Sequence, residues 1–178
     1  MTKKVLVISS NRLGDCILSS GLNRFLKNKF KDAKVFFVCG PIPGEIFKFC
    51  ENIDKLIILK KKKFSLHWFY LWRLIFLNYW DCVVDLRGTL ISFFLIAKTR
   101  KVYSVRSNLH KVEEISKLFS ASNLSPEISL NKKKIKNKSF LKLIQKKALN
   151  KKLVIVAPSS NWIGKTWPIQ NFCSLLTK

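Results

Sequence analysis

The stretch KVLVISSNRLGDCILSSGLNRFLKNK, residues 4–29, decides the fold because its periodicity changes part of the way along. Residues 4–9 form a continuous apolar run without alternation, which is typical of a parallel strand covered on both faces. From residue 15 to residue 30 the apolar side chains recur at helical spacing, with polar ones between them. A polar turn that contains Asp15 joins the two parts. The stretch therefore predicts a buried strand, a loop and an amphipathic helix.

The same alternation continues along the first 120 residues. Further strands are predicted over residues 34–40 (ended by a turn at PIPG), 54–60, 81–88 and 101–105. Helices are predicted between and after them, over residues 44–52, 64–80, 89–98 and 110–120. Strand and helix follow each other at the spacing of βαβ units, which predicts an open parallel α/β sheet. Ligands of such sheets bind beyond the carboxyl ends of the strands.

The composition changes after residue 120. Residues 121–150 are rich in lysine and asparagine and predict a linker between domains, with a helix near its end. LVIVAP, residues 153–158, then predicts a new buried strand, followed by a polar loop and a helix that opens at Pro168. The chain is therefore divided into a first domain (1–120), a linker (121–150) and the start of a second α/β domain (151–178).

The charge is the most unusual compositional feature. The 178 residues include 34 Lys and Arg against 10 Asp and Glu, a net charge of +24. Such a surface attracts polyanions, which include nucleic acid, an anionic membrane face and phosphorylated substrates. A compositional drift toward lysine explains the charge equally well. The sequence contains no recognised nucleic-acid reader motif, so we expect no specific nucleic-acid partner.

The cysteines and the aromatic stretch constrain the environment of the protein. Five cysteines form no CxxC pair, and no His, Cys or acidic residues are spaced as metal ligands, so we expect reduced, mostly buried thiols in a cytosolic protein and no metal. FSLHWFYLWRLIFLNYW, residues 64–80, approaches the length of a membrane span, but Arg73 lies at its centre. We interpret it as an aromatic helix that is part core and part interface.

Asp15 follows the first strand and has two interpretations. An aspartate at the start of a helix accepts backbone N–H bonds and suits the positive end of the helix dipole. The same carboxylate, placed at the carboxyl end of a parallel strand, could instead act as a general base that takes a proton from a hydroxyl group. The preceding Gly14 allows a tight turn that brings the backbone close to a ligand.

A second polar loop, APSSNWIGKTWP at residues 157–168, follows the last predicted strand. Ser159, Ser160 and Lys165 offer hydroxyl groups and a positive charge before a helix, a combination suited to a diphosphate. An ordinary polar loop is the alternative, since neither the GxxxxGK[ST] nor the GxGxxG spacing is present.

Basic residues also follow two strands of the first domain. Lys60, Lys61, Lys62 and Lys63 come after the third strand, and Arg87 comes after the fourth. We expect them to reach the same rim as Asp15. A solvated charge cluster is the usual outcome for such a run, but its place before an aromatic helix also suits the phosphates of a lipid surface.

Together these segments resemble the ADP-heptose:lipopolysaccharide heptosyltransferases, glycosyltransferase family 9. The matching segments occur in the family's order over nearly the whole chain: the first 35 residues from KVLVIS onward, NIDKLIIL, DCVVDLRGTLISFFLIAKTRKVYSV, SNLHKVEEISKLF and VIVAPSSNWIGKTWPIQNFCSLL. The LGD turn that contains Asp15 and the KTWP element that contains Lys165 are specific as a pair.

The resemblance implies a GT-B architecture, in which two Rossmann-like domains face each other across a cleft. It implies inverting sugar transfer without metal or cofactor, from a nucleotide sugar such as ADP-heptose to an anionic, lipid-linked acceptor. Asp15 would be the base, and Lys165 with Ser159 and Ser160 would hold the donor diphosphate. Lys60 to Lys63 and Arg87 are placed near the acceptor by position alone. The expected location is cytoplasmic and peripheral, at the inner face of the inner membrane.

The chain also departs from the family. Its members are considerably longer, a serine stands at Ser159 where many have glycine, and the later element that would hold adenine and ribose is absent from this sequence. We therefore expect a truncated donor domain that binds the donor poorly, and we expect this chain alone to be inactive. The alternative is a basic α/β module that binds an anionic membrane surface without catalysis. The sequence leaves the oligomeric state open.

Overall fold

The structure is a computed structural model of the full chain. It describes residues 2–31, 33–104, 109–122, 124–131, 154, 156–160 and 162–177. The described residues belong to two compact units, Met1–Ile135 and Lys136–Lys178. Each unit is described by itself.

The first unit contains a five-stranded parallel sheet. Its strands are β1 (Lys4–Ile8), β2 (Lys34–Cys39), β3 (Lys55–Ile58), β4 (Trp80–Asp85) and β5 (Ala97–Val102), in the order β3-β2-β1-β4-β5. The central strand β1 pairs on both sides, with Val5 opposite Val35 and opposite Cys82. The predicted parallel α/β architecture is therefore confirmed.

Helices cover both faces of the sheet. They are α1 (Leu13–Leu18), α2 (Gly21–Lys29), α3 (Pro41–Phe47), α4 (Leu66–Ile75) and α5 (Lys111–Leu118), with 3-10 turns at Lys63–Ser65 and Leu90–Phe94. Successive strand residues point to opposite faces. Val5 and Val7 join one core cluster, whereas Leu6 and Ile8 join another. We call the first the α2 face and the second the α4 face.

The helix expected over residues 15–30 is interrupted at Ser19 and Ser20. Their hydroxyl groups donate to carbonyl oxygens of the preceding turn, from Ser19 to Asp15 O at 2.9 Å and from Ser20 to Ile17 O at 2.7 Å. Serine hydroxyls compete in this way with the helical backbone pattern. The result is two shorter helices.

The predicted PIPG turn is wrong, because α3 begins at Pro41. Proline fits the first turn of a helix, where its missing N–H has no partner to lose. Gly40 precedes it, and a Cβ at this position would lie 2.8 Å from Asn11 Cα. The small residue thus allows the loop after β2 to pack against the loop after β1.

The apolar helix expected over residues 89–98 is also wrong. Only Leu90–Phe94 is helical, as a 3-10 turn, and β5 begins at Ala97 rather than at residue 101. Arg100 of β5 donates to the carbonyl oxygens of Ser92 at 2.6 Å and Leu95 at 2.9 Å, so these groups are satisfied without a helix. The sequence of this edge strand, AKTRKV, is mostly polar, so a search for apolar runs does not predict it.

Residues 124–131 belong to the first unit and pack against the rest of it, although the sequence assigned them to a linker. Leu124 is buried, Cys50 and Leu130 form an antiparallel bridge, and Asn131 N donates to Phe49 O at 2.8 Å. Gly21 lies so close to this segment that a Cβ there would be 2.0 Å from Ser125 O. The helix expected near residue 150 lies outside the described residues.

The second unit has a 3-10 turn at Ile163–Lys165 and helix α6 (Ile169–Leu176). The strand predicted over residues 153–158 lies partly outside the described residues. Its described positions, residues 154 and 156–158, are exposed and are not assigned to a strand. A strand needs a neighbour to pair with, and the described residues of this unit include no second strand.

Candidate functional site

The candidate site lies at the carboxyl edge of the sheet, beside the central strands β1 and β4. The connection after β1 crosses the α2 face, and the connection that leads into β4 crosses the α4 face. The two connections therefore diverge to opposite faces of the sheet between these neighbouring strands. In open α/β sheets such a switch point forms the crevice in which ligands bind. The loops after the two strands meet here, where Arg87 Nη1 donates to Asn11 Oδ1 at 3.3 Å.

Asp15 is half-buried at this edge, in the first turn of α1. The N-cap residue of α1 is Arg12, whose side chain makes no capping bond. Ser10 Oγ donates to Asp15 Oδ2 at 3.0 Å, and the same Ser10 oxygen accepts from Arg12 N at 3.1 Å. Asp15 is therefore not the N-cap residue of α1. Its carboxylate gains from the helix dipole and is oriented by a hydroxyl group.

Gly14, which precedes Asp15, is an exposed residue of α1. Its φ is not positive, so the expected tight turn is not formed. A Cβ at Gly14 would meet no atom within 4 Å, apart from its chain neighbours. The fold therefore does not need glycine here.

Tyr103 and α5 supply three further polar groups that the sequence analysis missed. The Tyr103 hydroxyl donates to Glu114 Oε2, and Lys111 Nζ lies 4.6 Å from the centre of the Tyr103 ring. Burial raises the pKa of Tyr103 to about 12, helped by the Glu114 hydrogen bond and by the negative charges of Glu114 and Asp15. Tyr103 N donates to Asp85 O at 2.8 Å, which places Tyr103 at the carboxyl edge of the sheet. The position of Tyr103 directly after a strand was the available signal.

Cys16 lies under the same turn and is an inert group. Burial raises the pKa of its thiol, and the negative charge of Asp15 acts in the same direction. Its Sγ donates to Ser10 O at 3.1 Å. The four cysteines of the first unit are buried and form no disulfide, and Cys173 is exposed, as expected for reduced, mostly buried thiols.

Asp85, also missed from the sequence, holds the turn that carries Arg87. It is fully buried and accepts from Arg87 N at 2.9 Å, from Thr89 N at 2.7 Å and from Thr89 Oγ1 at 2.6 Å. A buried carboxylate with three donors is satisfied, and it fixes the backbone around it. Asp85 is therefore a positioning residue for the loop after β4.

Arg87 is exposed and joins the basic rim next to α4. Its guanidinium carbon lies 4.9 Å from the centre of the Trp68 ring, which is a favourable distance for a cation–π contact. The pKa of the nearby His67 is lowered by burial and by the positive charges of Arg87 and Lys61. Lys62 N donates to His67 Nδ1 at 3.4 Å. The structure thus brings Arg87 together with part of the lysine run.

The four residues Lys60 to Lys63 are all exposed. Exposure is compatible with a solvated charge cluster and with a phosphate-binding rim. Lys62 Nζ lies 5.5 Å from the centre of the Tyr70 ring. The run leads directly into the 3-10 turn and α4. It therefore borders the α4 face as well as the carboxyl edge of the sheet.

The predicted donor residues lie in the second unit. Ser159 and Ser160 line a cavity of about 490 Å³ together with Thr166, Trp167 and other residues of the loop. Ser160 Oγ donates to Trp162 O at 2.7 Å and lies 2.9 Å from Thr166 Oγ1. Lys165 ends the 3-10 turn and is exposed, outside the lining of this cavity. The two serines share one concave surface, and Lys165 lies on the adjacent turn.

Within the described ranges, no group of three or more His, Cys, Asp and Glu side chains is arranged to hold a metal ion. Among the same residues, no helix is both long and apolar enough to cross a membrane. His110 is the N-cap residue of α5, where its Nδ1 accepts from Val112 N at 3.4 Å. Its role is structural.

Neither a protein-family model nor a curated protein matches the sequence. Solved structures do match the fold. A family 9 glycosyl transferase from Veillonella parvula DSM 2008 has a TM-score of 0.74 at 18% identity, covering 97% of this chain and 58% of its own. The E. coli heptosyltransferase WaaC with ADP has a TM-score of 0.62 at 12% identity, covering 98% of this chain and 63% of its own.

The E. coli ADP-heptose lps heptosyltransferase II is similar to the same extent, with a TM-score of 0.62, 14% identity and coverage of 98% of this chain and 60% of its own. The chain thus spans about three fifths of the length of these structures. The prediction of a GT-B type α/β fold is confirmed. Over that length, the chain shares the fold of the family 9 glycosyltransferases.

Proposed function

We propose that the protein is a glycosyltransferase of the heptosyltransferase type. It moves a heptose or a related sugar from a nucleotide sugar, with ADP-heptose as the first candidate, to an anionic acceptor of the lipopolysaccharide core. Two of the structures that share the fold are an E. coli heptosyltransferase with ADP and the same enzyme with ADP-2-deoxy-2-fluoro heptose. The observation that carries the proposal is the half-buried Asp15 carboxylate, which Ser10 holds at the sheet's switch point.

In the proposed reaction, Asp15 takes the proton of the acceptor hydroxyl as its oxygen attacks the anomeric carbon of the sugar. The bond from that carbon to the diphosphate breaks, and the nucleoside diphosphate leaves with the bonding electrons. A single displacement of this kind inverts the anomeric configuration. The step involves no metal, and general-base catalysis contributes about 10²–10⁴ in rate.

The departing diphosphate gains negative charge, and Lys165 with the hydroxyl groups of Ser159 and Ser160 would stabilise it. Fixed donors aimed at a developing charge are among the largest contributions to enzymatic rates. The concave surface shared by Ser159 and Ser160 supports this assignment. Arg87 and Lys61 of the first unit would contact the negative charges of the acceptor. Such a protein would act at the cytoplasmic face of the inner membrane, where it can reach a lipid-linked acceptor.

The test measures transfer and acceptor binding separately on the 178-residue chain. Mass spectrometry detects the glycosylated acceptor after incubation with ADP-heptose and a phosphorylated, lipid-linked core sugar. Asp15→Asn is expected to slow transfer at least about 100-fold while acceptor binding stays unchanged. Glu45→Gln, which removes one negative charge from an exposed side chain, is the matched control and keeps the rate.

Equal rates for Asp15→Asn and the unmodified chain would reject the assignment of Asp15 as the base. Acceptor binding without any product would reject the catalytic proposal for this chain. It would leave the alternative, a basic α/β module that binds an anionic membrane surface.

A further inference from the structure

The outer side of the α4 face carries an unusual number of exposed apolar side chains. Helix α4 turns Leu71 and Ile75 toward the sheet, but Leu66, Phe69, Tyr70 and Leu74 on its other side are 48–63% exposed. The 3-10 turn Leu90–Phe94 adds further exposed residues. These are Leu90, Phe93 and Phe94, which are 58–77% exposed.

These two elements form one continuous surface. Trp72 Nε1 of α4 donates to Phe94 O at 3.3 Å. A shallow groove of about 430 Å³ runs between the elements and is lined by Trp68, Phe69, Trp72, Ile91 and Phe94. A continuous exposed apolar patch on a folded domain marks an interaction site. We call it the α4 surface: the outward side of α4, the turn Leu90–Phe94 and Phe64.

The sequence segments that form the α4 surface contain basic residues but no acidic ones. Residues 55–80 contain Lys60 to Lys63 and Arg73 but no acidic residue, and residues 86–112 contain none either. The two aspartates between these stretches face elsewhere. Asp85 is buried in its turn, and Asp81 Oδ2 accepts from Lys4 N at 2.8 Å. A partner of this surface must therefore combine apolar groups with negative charge.

Phe64 is the most exposed aromatic residue of the surface and is held there against its backbone preference. It is 93% exposed and has a φ of 52°, and Ser65 follows with a φ of 57°. The left-handed region is unfavourable for residues with a Cβ. Strained residues persist mainly at functional positions. The strain therefore supports a role for Phe64 outside the fold.

We infer that the α4 surface docks on an anionic lipid bilayer. Phe64, Phe69 and Phe94 enter the boundary between headgroups and acyl chains, while the lysine run and Arg73 contact lipid phosphates. An anionic bilayer offers an apolar interior beneath a layer of negative charge, which matches both properties of the α4 surface. A second copy of this chain would bring two positive surfaces together. The inference deepens the proposed function and rests on it in one respect, since a lipid-linked acceptor brings the protein to a membrane.

The experiment is co-sedimentation of the 178-residue chain with vesicles of phosphatidylcholine alone and of phosphatidylcholine with an equal amount of phosphatidylglycerol. Binding is expected on the anionic vesicles and is expected to fall as salt is raised. Phe69→Ser with Phe94→Ser should lower the partition coefficient at least about tenfold. Ile42→Ser, which removes a 69% exposed isoleucine from α3, is the matched control and should leave binding unchanged.

The charge part has its own pair of variants. Lys61→Gln with Lys62→Gln should weaken binding to the anionic vesicles about 30-fold, since each lysine near such a surface contributes on the order of 1 kcal/mol and about 1.4 kcal/mol corresponds to tenfold. Lys31→Gln with Lys34→Gln removes the same charge from exposed positions outside the α4 surface and should have a smaller effect. Circular dichroism verifies that all variants are folded.

Several outcomes would overturn the inference. These are no vesicle binding, equal loss in the control variants, and binding that ignores lipid charge and salt. A dimer that Phe69→Ser with Phe94→Ser dissociates, without vesicle binding, would assign the surface to a second copy instead. Asp15→Asn should bind vesicles like the unmodified chain, so failure of the catalytic proposal and failure of membrane docking are distinguishable.

Discussion

The two faces of the sheet are built from the same strands and yet end in different surfaces. The α2 face is covered by α1, α2, α3, α5 and the segment 124–131, and polar side chains such as Arg24, Lys29 and Lys117 lie outside. The α4 face is covered by α4 and one 3-10 turn, whose outward residues are largely apolar. Both cores are dry. The comparison teaches that covering a sheet and presenting a polar surface are separate requirements, and the α4 face meets only the first.

The largest expected effect tests whether the two cores contribute equally to the free energy of unfolding. Leu26 of α2 and Leu71 of α4 are both fully buried, one on each face. Replacing either with alanine removes buried apolar area and leaves a cavity, so each change should lower the free energy of unfolding by about 2–5 kcal/mol. Urea denaturation measures both. A cost for Leu71→Ala far below that of Leu26→Ala would show that α4 is only loosely attached.

The strained entry to α4 gives a smaller effect of opposite sign. Phe64→Gly places glycine where φ is 52°, and it removes a side chain that makes little contact with the fold. Relief of the left-handed strain should raise the free energy of unfolding by about 1 kcal/mol. Membrane binding should fall at the same time. A thermal melt that shows destabilisation would contradict the assignment of Phe64 to a role outside the fold.

The stability of the two faces should also depend on pH in opposite ways, at alkaline pH through Tyr103 and at acid pH through His67. The folded state raises the pKa of Tyr103 from 10.0 to about 12, so its contribution to stability is present below pH 10 and is lost as the pH rises to about 12. The groups that face it are Glu114, Lys111 and Asp15. Thermal melts of Tyr103→Phe should lose less stability in this alkaline range than those of the unmodified chain.

His67 on the α4 side behaves in the reverse sense. Its pKa is lowered from 6.5 by burial and by the charges of Arg87 and Lys61, so its contribution is present above pH 6.5 and is lost as the pH falls below that value. His67→Gln should therefore flatten the acid branch of the stability profile. An unchanged acid branch would show that His67 is more hydrated than its burial suggests.

The smallest effect concerns the outward side of α4. Leu74 is 48% exposed there, and glutamine has a similar helix propensity, so Leu74→Gln should change the free energy of unfolding by less than about 0.5 kcal/mol. The same variant should be more soluble, because it interrupts the apolar surface. A cost near that of Leu71→Ala would mean that the outward side of α4 is already covered within the chain.

Much of the fold could be predicted from the sequence, because strands buried on both faces must be continuously apolar. This requirement correctly indicated β1, β2 and β4, and helical spacing indicated α5. The edge strand β3 was indicated by an apolar run as well, although its residues are only half-buried or exposed. It failed for β5, an edge strand of mostly polar residues, and for α3, where two prolines suggested a turn. Pairing with β4 fixes β5, whereas Pro41 fits the first turn of α3.

The candidate site was predictable in the same uneven way. The position of Asp15 after β1 followed from the local pattern. That Asp15 is not the N-cap residue depends on the backbone geometry, which places Arg12 at the N-cap. Asp85 was missed, because an aspartate at the end of an apolar strand gives no hint of its three donors. Tyr103 was missed because its partners belong to α5, beyond the next loop.

The sequence by itself determined the layered α/β plan and the placement of polar residues after strands, since both follow from local periodicity and composition. Only the tertiary structure decided which of those residues meet. Asn11 and Arg87 are 76 positions apart and come together because β1 and β4 are neighbours in the sheet. The apolar α4 surface likewise exists because the first unit lays no second layer over α4 within its described residues. Exposure depends on the whole packing arrangement and not on the hydropathy of a segment.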